Sequence, residues 1–213
     1  MNLSDDEPAP YIPQNLQIED KWIISKYNRL VADVTDNLEK FELGLAVSKL
    51  YDFIWDVFCD WYIEIAKVRL GGDDEEQKAV SKAVLVYVFS GTMKLLHPFM
   101  PFITEEIWQT LPHKGKSIMV SAWPEFDEKL DFADEESQFE KIMELIRAIR
   151  NRRAEMNVPP SKKATVLIET GYPDVFDMGA KFICRLASAS EVTVAKNQDA
   201  AGAVRVVTDS ATA

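Results

Sequence analysis

The spacing of apolar side chains predicts five helices in the first three quarters of the chain. Residues 18–40 carry an apolar side chain at every third or fourth position, which is typical of one face of an amphipathic helix. The same spacing recurs over 42–68, 75–96 and 135–156, and a short helix is expected after Pro101. The predicted core stripe of the second helix is Leu43, Val47, Leu50, Ile54, Phe58, Trp61 and Ile65.

The pattern changes after Pro159 and Pro160. Alternating side chains over 165–168 predict a strand, a helix is expected at 174–188, and further strands are expected at 191–195 and 203–207. The predicted fold is mainly α: an antiparallel helix bundle over 17–158, then a small, incomplete α+β region over 159–213. Residues 1–16, rich in proline and acids, predict an extended lead-in, and the last four residues are expected to carry no terminal element.

Composition favours a folded, reducing-compartment protein. The chain is 47% hydrophobic and contains only two cysteines, without a Cys/His spacing suited to zinc. No basic leader followed by an apolar stretch opens the chain, and no long uninterrupted apolar run occurs. We therefore expect a cytoplasmic monomer with no membrane association and no bound metal.

Charge is unevenly distributed. The net charge is −11, which by itself argues against a nucleic-acid partner. However, residues 141–163 hold seven basic side chains against two acidic ones, a local balance of +5. One basic segment in an acidic protein is compatible with local contacts to phosphate.

Motifs for autonomous catalysis are missing. Gly115-Lys116-Ser117 lacks the earlier glycine that a phosphate-binding loop requires. The histidines His97 and His113 stand beside prolines at helix boundaries, without a nucleophile or a metal-ligand partner at helical spacing. An enzyme of unrecognised type would need a cleft that this spacing does not reveal.

Aromatic density on the second helix suggests two uses. Most of its rings are expected in the core, but Phe53 falls about 100° from Ile54 in α-helical geometry, on an edge shared with Lys49. An edge aromatic beside a lysine suits an unstacked base.

Side chains on the fifth helix and just beyond it are candidates for phosphate contacts. Arg147, Arg150 and Asn151 lie on one flank of its apolar stripe, and Lys162 with Lys163 follow the two prolines. The alternative is that the arginines solvate the helix and pair with the acidic segment before it. Arg153, nearest the stripe, is the one expected to be structural.

Two stretches carry a family resemblance: Phe58-Cys59-Asp60-Trp61-Tyr62-Ile63-Glu64, and residues 95–108, which read LLHPFMPFITEEIW. Both resemble valyl-tRNA synthetases, class I aminoacyl-tRNA synthetases, and the similarity covers about residues 15–170. Leucyl and isoleucyl enzymes share the bundle but not the Cys-Asp-Trp-Tyr run, and they remain the alternative assignment.

This resemblance implies a helical domain that grips the anticodon stem and loop of valine tRNA, with Phe53 as the stacking platform and the basic side chains on the backbone. The HIGH and KMSKS signatures of the ATP-binding domain do not occur, so neither aminoacylation nor a cofactor is expected in this stretch; ATP would bind in a catalytic domain carried in cis. The rival interpretation is a structural or protein-interaction bundle without RNA binding of its own.

Overall fold

The computed structural model describes residues 10–195 and 202–213. Its contacts group the chain into two compact units, Met1–Ala133 and Asp134–Ala213. The predicted lead-in falls mostly outside the described residues, and its described part carries no helix or strand. The long helix at residues 133–155 groups with the α+β elements. The domain boundary that the sequence predicts at 158–159 stays a prediction.

The first unit is helical, as predicted. It contains α1 (Ile18–Glu39), α2 (Leu43–Asp52), a π-helical segment (Phe53–Tyr62), α3 (Ile63–Leu70), α4 (Glu75–Leu96), α5 (Pro101–Gln109) and short 3-10 turns at Ile118–Val120 and Glu128–Leu130. The single predicted helix over 42–68 is therefore continuous but changes its winding in the middle, which the α-helical pattern did not predict.

Local chemistry explains the helix boundaries. The Gln17 amide at the start of α1 donates to the carboxylate of Asp20, and Asp74 accepts from the Gln77 amide at the start of α4. Pro101 occupies the first turn of α5, where its missing N–H costs no helical hydrogen bond.

An aromatic cluster fills the middle of this unit. The Tyr27 ring of α1 lies 5.6 Å from Tyr87 of α4 and 6.3 Å from Phe53, measured between ring centroids. Phe58 stacks on Phe89 of α4 at 5.7 Å. Gly91 lets α4 approach Tyr27, since a Cβ at this position would lie 1.9 Å from the Tyr27 hydroxyl oxygen. Burial of such large rings is the main source of stability here.

Helices α1 and α4 run in the same direction. Asn15, just before α1, hydrogen-bonds Glu76 in the first turn of α4. Near their other ends, the Trp123 indole donates to Thr35 at 2.9 Å, and the neighbouring Ala122 carbonyl accepts from Lys94 at 3.2 Å. The corner after α1 and the corner after α4 therefore lie at the same end of the helical unit.

The length and composition of α4 would allow it to cross a membrane, and it is the one helix among the described residues with that property. However, 61% of its apolar window is buried inside the fold. Its apolar side chains therefore serve as the core of the unit.

The second unit is α+β. It contains α6 (Ala133–Glu155), β1 (Ala164–Thr170), α7 (Pro173–Leu186), β2 (Ala189–Val194) and β3 (Ala211–Thr212). The sheet order is β2-β1-β3, with β1 parallel to β2 and antiparallel to β3. Helix α6 packs on α7 through Phe139 and Phe182, and Gly179 makes room for Ile142.

Two predictions about the tail are wrong. Residues 203–207 form no strand, and the last four residues do carry an element, since Ala211–Thr212 is β3. Val206 exchanges backbone hydrogen bonds with Ala213, and Val207 forms a single bridge to Thr212. The chain turns between them, where the Thr208 hydroxyl accepts from the Ala211 amide, and the second arm of this turn pairs with β1.

Candidate nucleic-acid interface

Phe53 lies in the core of the helical unit. Its side chain is 5% exposed and packs between Tyr27 and Phe58, so the predicted position on an exposed edge is wrong. The buried stripe of α2 runs through Ala46, Leu50 and Phe53, at positions i, i+4 and i+7. A ring buried in this way offers no open face to a base.

The predicted core stripe of α2 is also wrong at its start. Leu43 and Val47 are exposed, because the small Ala46 and not Val47 faces the core. Of the six neighbouring aromatic residues, Phe58, Trp61 and Tyr62 are buried as predicted, whereas Phe53 is buried against prediction. Tyr51 and Trp55 are exposed, at 61% and 52%.

Exposed aromatic residues cluster instead at the end of the unit where α1 and α4 terminate. Phe102 (91% exposed) and Phe41 (88%) are the two most exposed large apolar side chains of the described residues. Further exposed apolar side chains accompany them in the two corners. We call this set the end surface: Phe41, Leu43, Leu45, Met100, Phe102 and Ile103.

Phe41 has an unusual backbone conformation. Its φ is 58°, in the left-handed region that glycine favours. The Phe41 amide donates to the Leu38 carbonyl and the Glu42 amide to the Asn37 carbonyl, which together form a Schellman motif at the end of α1. Phe41 occupies a position that glycine usually takes, so its exposed ring is held at a cost in backbone conformational free energy. Residues with such strained backbone angles concentrate at binding sites.

Tyr51 and Trp55 form a second aromatic pair on the side of α2 and the π-helical segment. Their ring centroids are 6.2 Å apart. Asp52 and Asp56 are exposed beside them, and within the described residues neither has an ion-pair partner. Carboxylates at this face repel phosphate, which disfavours contacts with an RNA backbone here.

The Lys49 ammonium is 2.5 Å from the carboxylate of Asp33 on α1. Both side chains are about half exposed, so solvent weakens the pair and leaves the lysine accessible to another anion. The sequence predicts an exposed Phe53 beside Lys49, and this arrangement does not occur, because Phe53 is buried in the core.

The basic segment of the second unit lies along the last turns of α6 and the start of β1. Arg147, Arg150, Asn151, Lys162 and Lys163 are all exposed, as a phosphate-binding role requires. The Arg150 Nε donates to the Leu186 carbonyl at 2.6 Å, which anchors that side chain to the end of α7.

Two other arginines have local partners. Arg152 pairs with Glu155 at 3.0 Å, and the Arg153 guanidinium donates to the carbonyls of Pro159 and Lys162. The prediction that Arg153 is structural is confirmed, because it fixes the turn that precedes β1. Arg152, Arg153, Lys162 and Lys163 line a cleft of about 1000 Å³ between α6 and the sheet.

Burial shifts the pKa values of three side chains in the helical unit. Burial raises the pKa of Tyr27 well above its usual range, and burial with the Asp20 charge does the same to the pKa of Tyr62. Burial lowers the pKa of Lys94, whose ammonium donates to a backbone carbonyl. Over the residues that the structure describes, no group of His, Cys, Asp or Glu side chains is arranged to hold a metal ion.

Comparison with known proteins gives the family. The model of the anticodon-binding domain of tRNA ligases matches residues 20–168, and this chain belongs to that family. It is 49% identical over 190 residues to the valine–tRNA ligase of Clostridium acetobutylicum, which covers 88% of this chain and 22% of the relative. The valine–tRNA ligase of Clostridium tetani is 47% identical over 201 residues, covering 93% and 23%.

A third relative, the valine–tRNA ligase of Staphylococcus carnosus, is 42% identical over 186 residues, covering 86% of this chain and 21% of its own length. The chain thus spans about a fifth of the length of the relatives it matches. These similarities favour the valyl assignment over the leucyl and isoleucyl alternatives.

Proposed function

We propose that this chain binds the anticodon stem and loop of valine tRNA for a valine–tRNA ligase whose ATP-dependent catalysis resides elsewhere in the polypeptide. The single observation that carries the proposal is the end surface, where Phe41 and Phe102 expose nearly their whole rings. Single-stranded loops are recognised by bases that unstack and pack on such rings. We further propose a cytoplasmic monomer.

The basic segment supplies the phosphate contacts in this proposal. Arg147, Arg150, Asn151, Lys162 and Lys163 are exposed donors, and Lys49 becomes one when phosphate displaces its partner Asp33. Such contacts fix the register of the RNA without reading its sequence, whereas rings at the end surface contact the bases. The stacking role predicted for Phe53 would require that ring to leave the core, so Phe41 and Phe102 take its place.

The experiment is a binding titration of the 213-residue chain with the anticodon stem-loop of valine tRNA and with the same stem-loop carrying an altered anticodon. Phe41→Ala and Phe102→Ala should each weaken binding of the correct loop by about 5- to 150-fold, since base stacking contributes roughly 1–3 kcal/mol. Tyr51→Ala, which removes an exposed aromatic outside the end surface, is the matched control and should leave binding unchanged.

Salt dependence separates the two kinds of contact. Lys162→Ala and Lys163→Ala should weaken both stem-loops equally and reduce the salt slope by about one each. If the wild-type chain binds neither stem-loop at low salt, or if only Tyr51→Ala weakens binding, the proposal is wrong.

A second function is favoured by the pair Tyr51 and Trp55. Exposed rings flanked by the exposed carboxylates of Asp52 and Asp56 are compatible with a basic protein surface. If this surface binds a basic protein, Trp55→Ala should leave RNA binding intact but weaken binding to that protein.

A further inference from the structure

The corner between α4 and α5 is closed by a side-chain hydrogen bond. The Nδ1 atom of His97, at the end of α4, is 2.7 Å from the hydroxyl oxygen of Thr104 in the first turns of α5. Thr104 is completely buried. Its hydroxyl also lies 2.8 Å from the Met100 carbonyl and 3.3 Å from the Pro101 carbonyl.

The roles of donor and acceptor follow from the number of protons. A threonine hydroxyl has one proton, and the two carbonyls can only accept, so that proton points to them. Towards His97 the hydroxyl must therefore accept, and the His97 Nδ1 atom must carry the hydrogen. The bond thus fixes the orientation of the His97 ring.

The backbone inside this closed corner is constrained from both sides. The amides of Phe99 and Met100 donate to the Leu96 carbonyl at 3.0 and 3.1 Å, and the Thr104 amide donates to the Met100 carbonyl at 3.2 Å. Pro98 and Pro101 fix two φ angles within the same stretch.

Phe102 projects from this corner and is 91% exposed. A ring so exposed is held by few side-chain contacts, so its position depends on the backbone that carries it. The ring of His97 and the hydroxyl of Thr104 join the two sides of that backbone, one before Phe102 and one after it.

We propose that His97 and Thr104 are positioning residues that hold Phe102 in the orientation required for base stacking. This inference rests on the proposed function. Ordering a contact residue before binding increases affinity, because less conformational entropy is lost in the complex. The rival is a hydrogen bond that only stabilises the α4–α5 corner and has no effect on RNA.

Thr104→Val tests this because valine keeps the shape of threonine but cannot accept the His97 proton. We expect stem-loop binding to weaken by about three- to tenfold, the range of one net hydrogen bond. Thr104→Ser should restore wild-type affinity. His97→Leu should weaken binding to the same degree, whereas His97→Asn, which places an N–H donor near the position of Nδ1, should recover part of it.

A double-mutant cycle distinguishes positioning from stability. In a Phe102→Ala background, Thr104→Val should have no further effect on RNA affinity, although it should lower the thermal midpoint as much as it does in the wild type. If Thr104→Val weakens binding equally in both backgrounds, or not at all in the wild type, the inference is wrong. If Phe102→Ala itself leaves binding unchanged, Phe102 does not stack on a base, and the proposed function is wrong about this residue. The single variant shows this outcome before the double variant is measured.

Discussion

The guanidinium of Arg69 on α3 donates to both carboxylate oxygens of Asp20 on α1, each at 2.6 Å, in the interior of the helical unit. A carboxylate oxygen of Glu19 lies 3.4 Å from the same guanidinium nitrogen, and the Tyr62 hydroxyl donates to Asp20. The second terminal nitrogen of Arg69, Nη2, donates to the side chain of Gln77 on α4. Burial alone would lower the pKa of Arg69, but the Asp20 and Glu19 carboxylates outweigh it and the pKa is raised. This network fixes α1, α3 and α4 in one register.

Removing one partner of this pair should be strongly destabilising. Arg69→Met leaves Asp20 and Glu19 buried without their cation, and we expect the free energy of unfolding to fall by roughly 3–5 kcal/mol. Urea denaturation measures this loss. Lys67→Met is the control, because Lys67 forms an exposed pair with Glu64 and should change stability by less than about 1 kcal/mol. Equal losses for the two variants would contradict the buried role of Arg69.

Gly91→Ala should destabilise the fold by about 1–3 kcal/mol, because the new methyl group would overlap the Tyr27 ring and force α1 and α4 apart. Gly44→Ala, in α2, is the matched control. Apart from the adjacent helix backbone, no heavy atom of the described residues lies within 4 Å of a Cβ at Gly44, so alanine should stabilise this helix by up to about 1 kcal/mol. Thermal unfolding of both variants checks the opposite signs.

Phe41→Gly should separate stability from binding. Glycine adopts the left-handed conformation at this position without the penalty of about 1 kcal/mol for other residues, and little buried area is lost with the ring. The variant should therefore unfold at higher denaturant while binding the stem-loop more weakly. A variant that is less stable than the wild type would show that the ring contributes packing in the free protein.

Glu105 predicts a specific dependence of stability on pH. Hydrogen bonds from Gln109 and Ser117, with one from the Ile118 amide, lower the pKa of Glu105. A folded-state pKa below the unfolded value stabilises the fold above the unfolded value of about 4.3, and this contribution is lost as the pH falls through the folded pKa.

Glu105→Gln should therefore reduce the loss of stability between about pH 5 and about pH 3, relative to the wild type. Denaturant midpoints across this range measure the difference. Glu106→Gln, one residue further along α5, is the control for removing one acidic charge from this helix. Parallel profiles for Glu105→Gln and wild type would contradict the role assigned to the Glu105 carboxylate.

The order and bounds of the helices follow from local pattern and capping. The predicted helix at 75–96 coincides with α4, because Asp74 provides the N-terminal cap and His97-Pro98 ends the repeat. The exposure of Arg147, Lys162 and Lys163 also agrees with prediction. Charged side chains beside an apolar stripe face solvent unless a buried partner pairs with them, as Asp20 does with Arg69.

What the sequence by itself determined, then, is the helical class of the first unit, the strand–helix–strand order of the second, and the basic segment. Only the tertiary structure decided that Phe53 is buried and that Phe41 and Phe102 are exposed at one end. A helical wheel cannot show which of two apolar faces of a helix is buried. Ala46 is too small to mark the buried face of α2 in the sequence. Whether an aromatic side chain packs in the core or faces solvent depends on which helix lies against it. That choice is made by contacts distant in sequence, such as Tyr27 with Phe53 and Phe58 with Phe89.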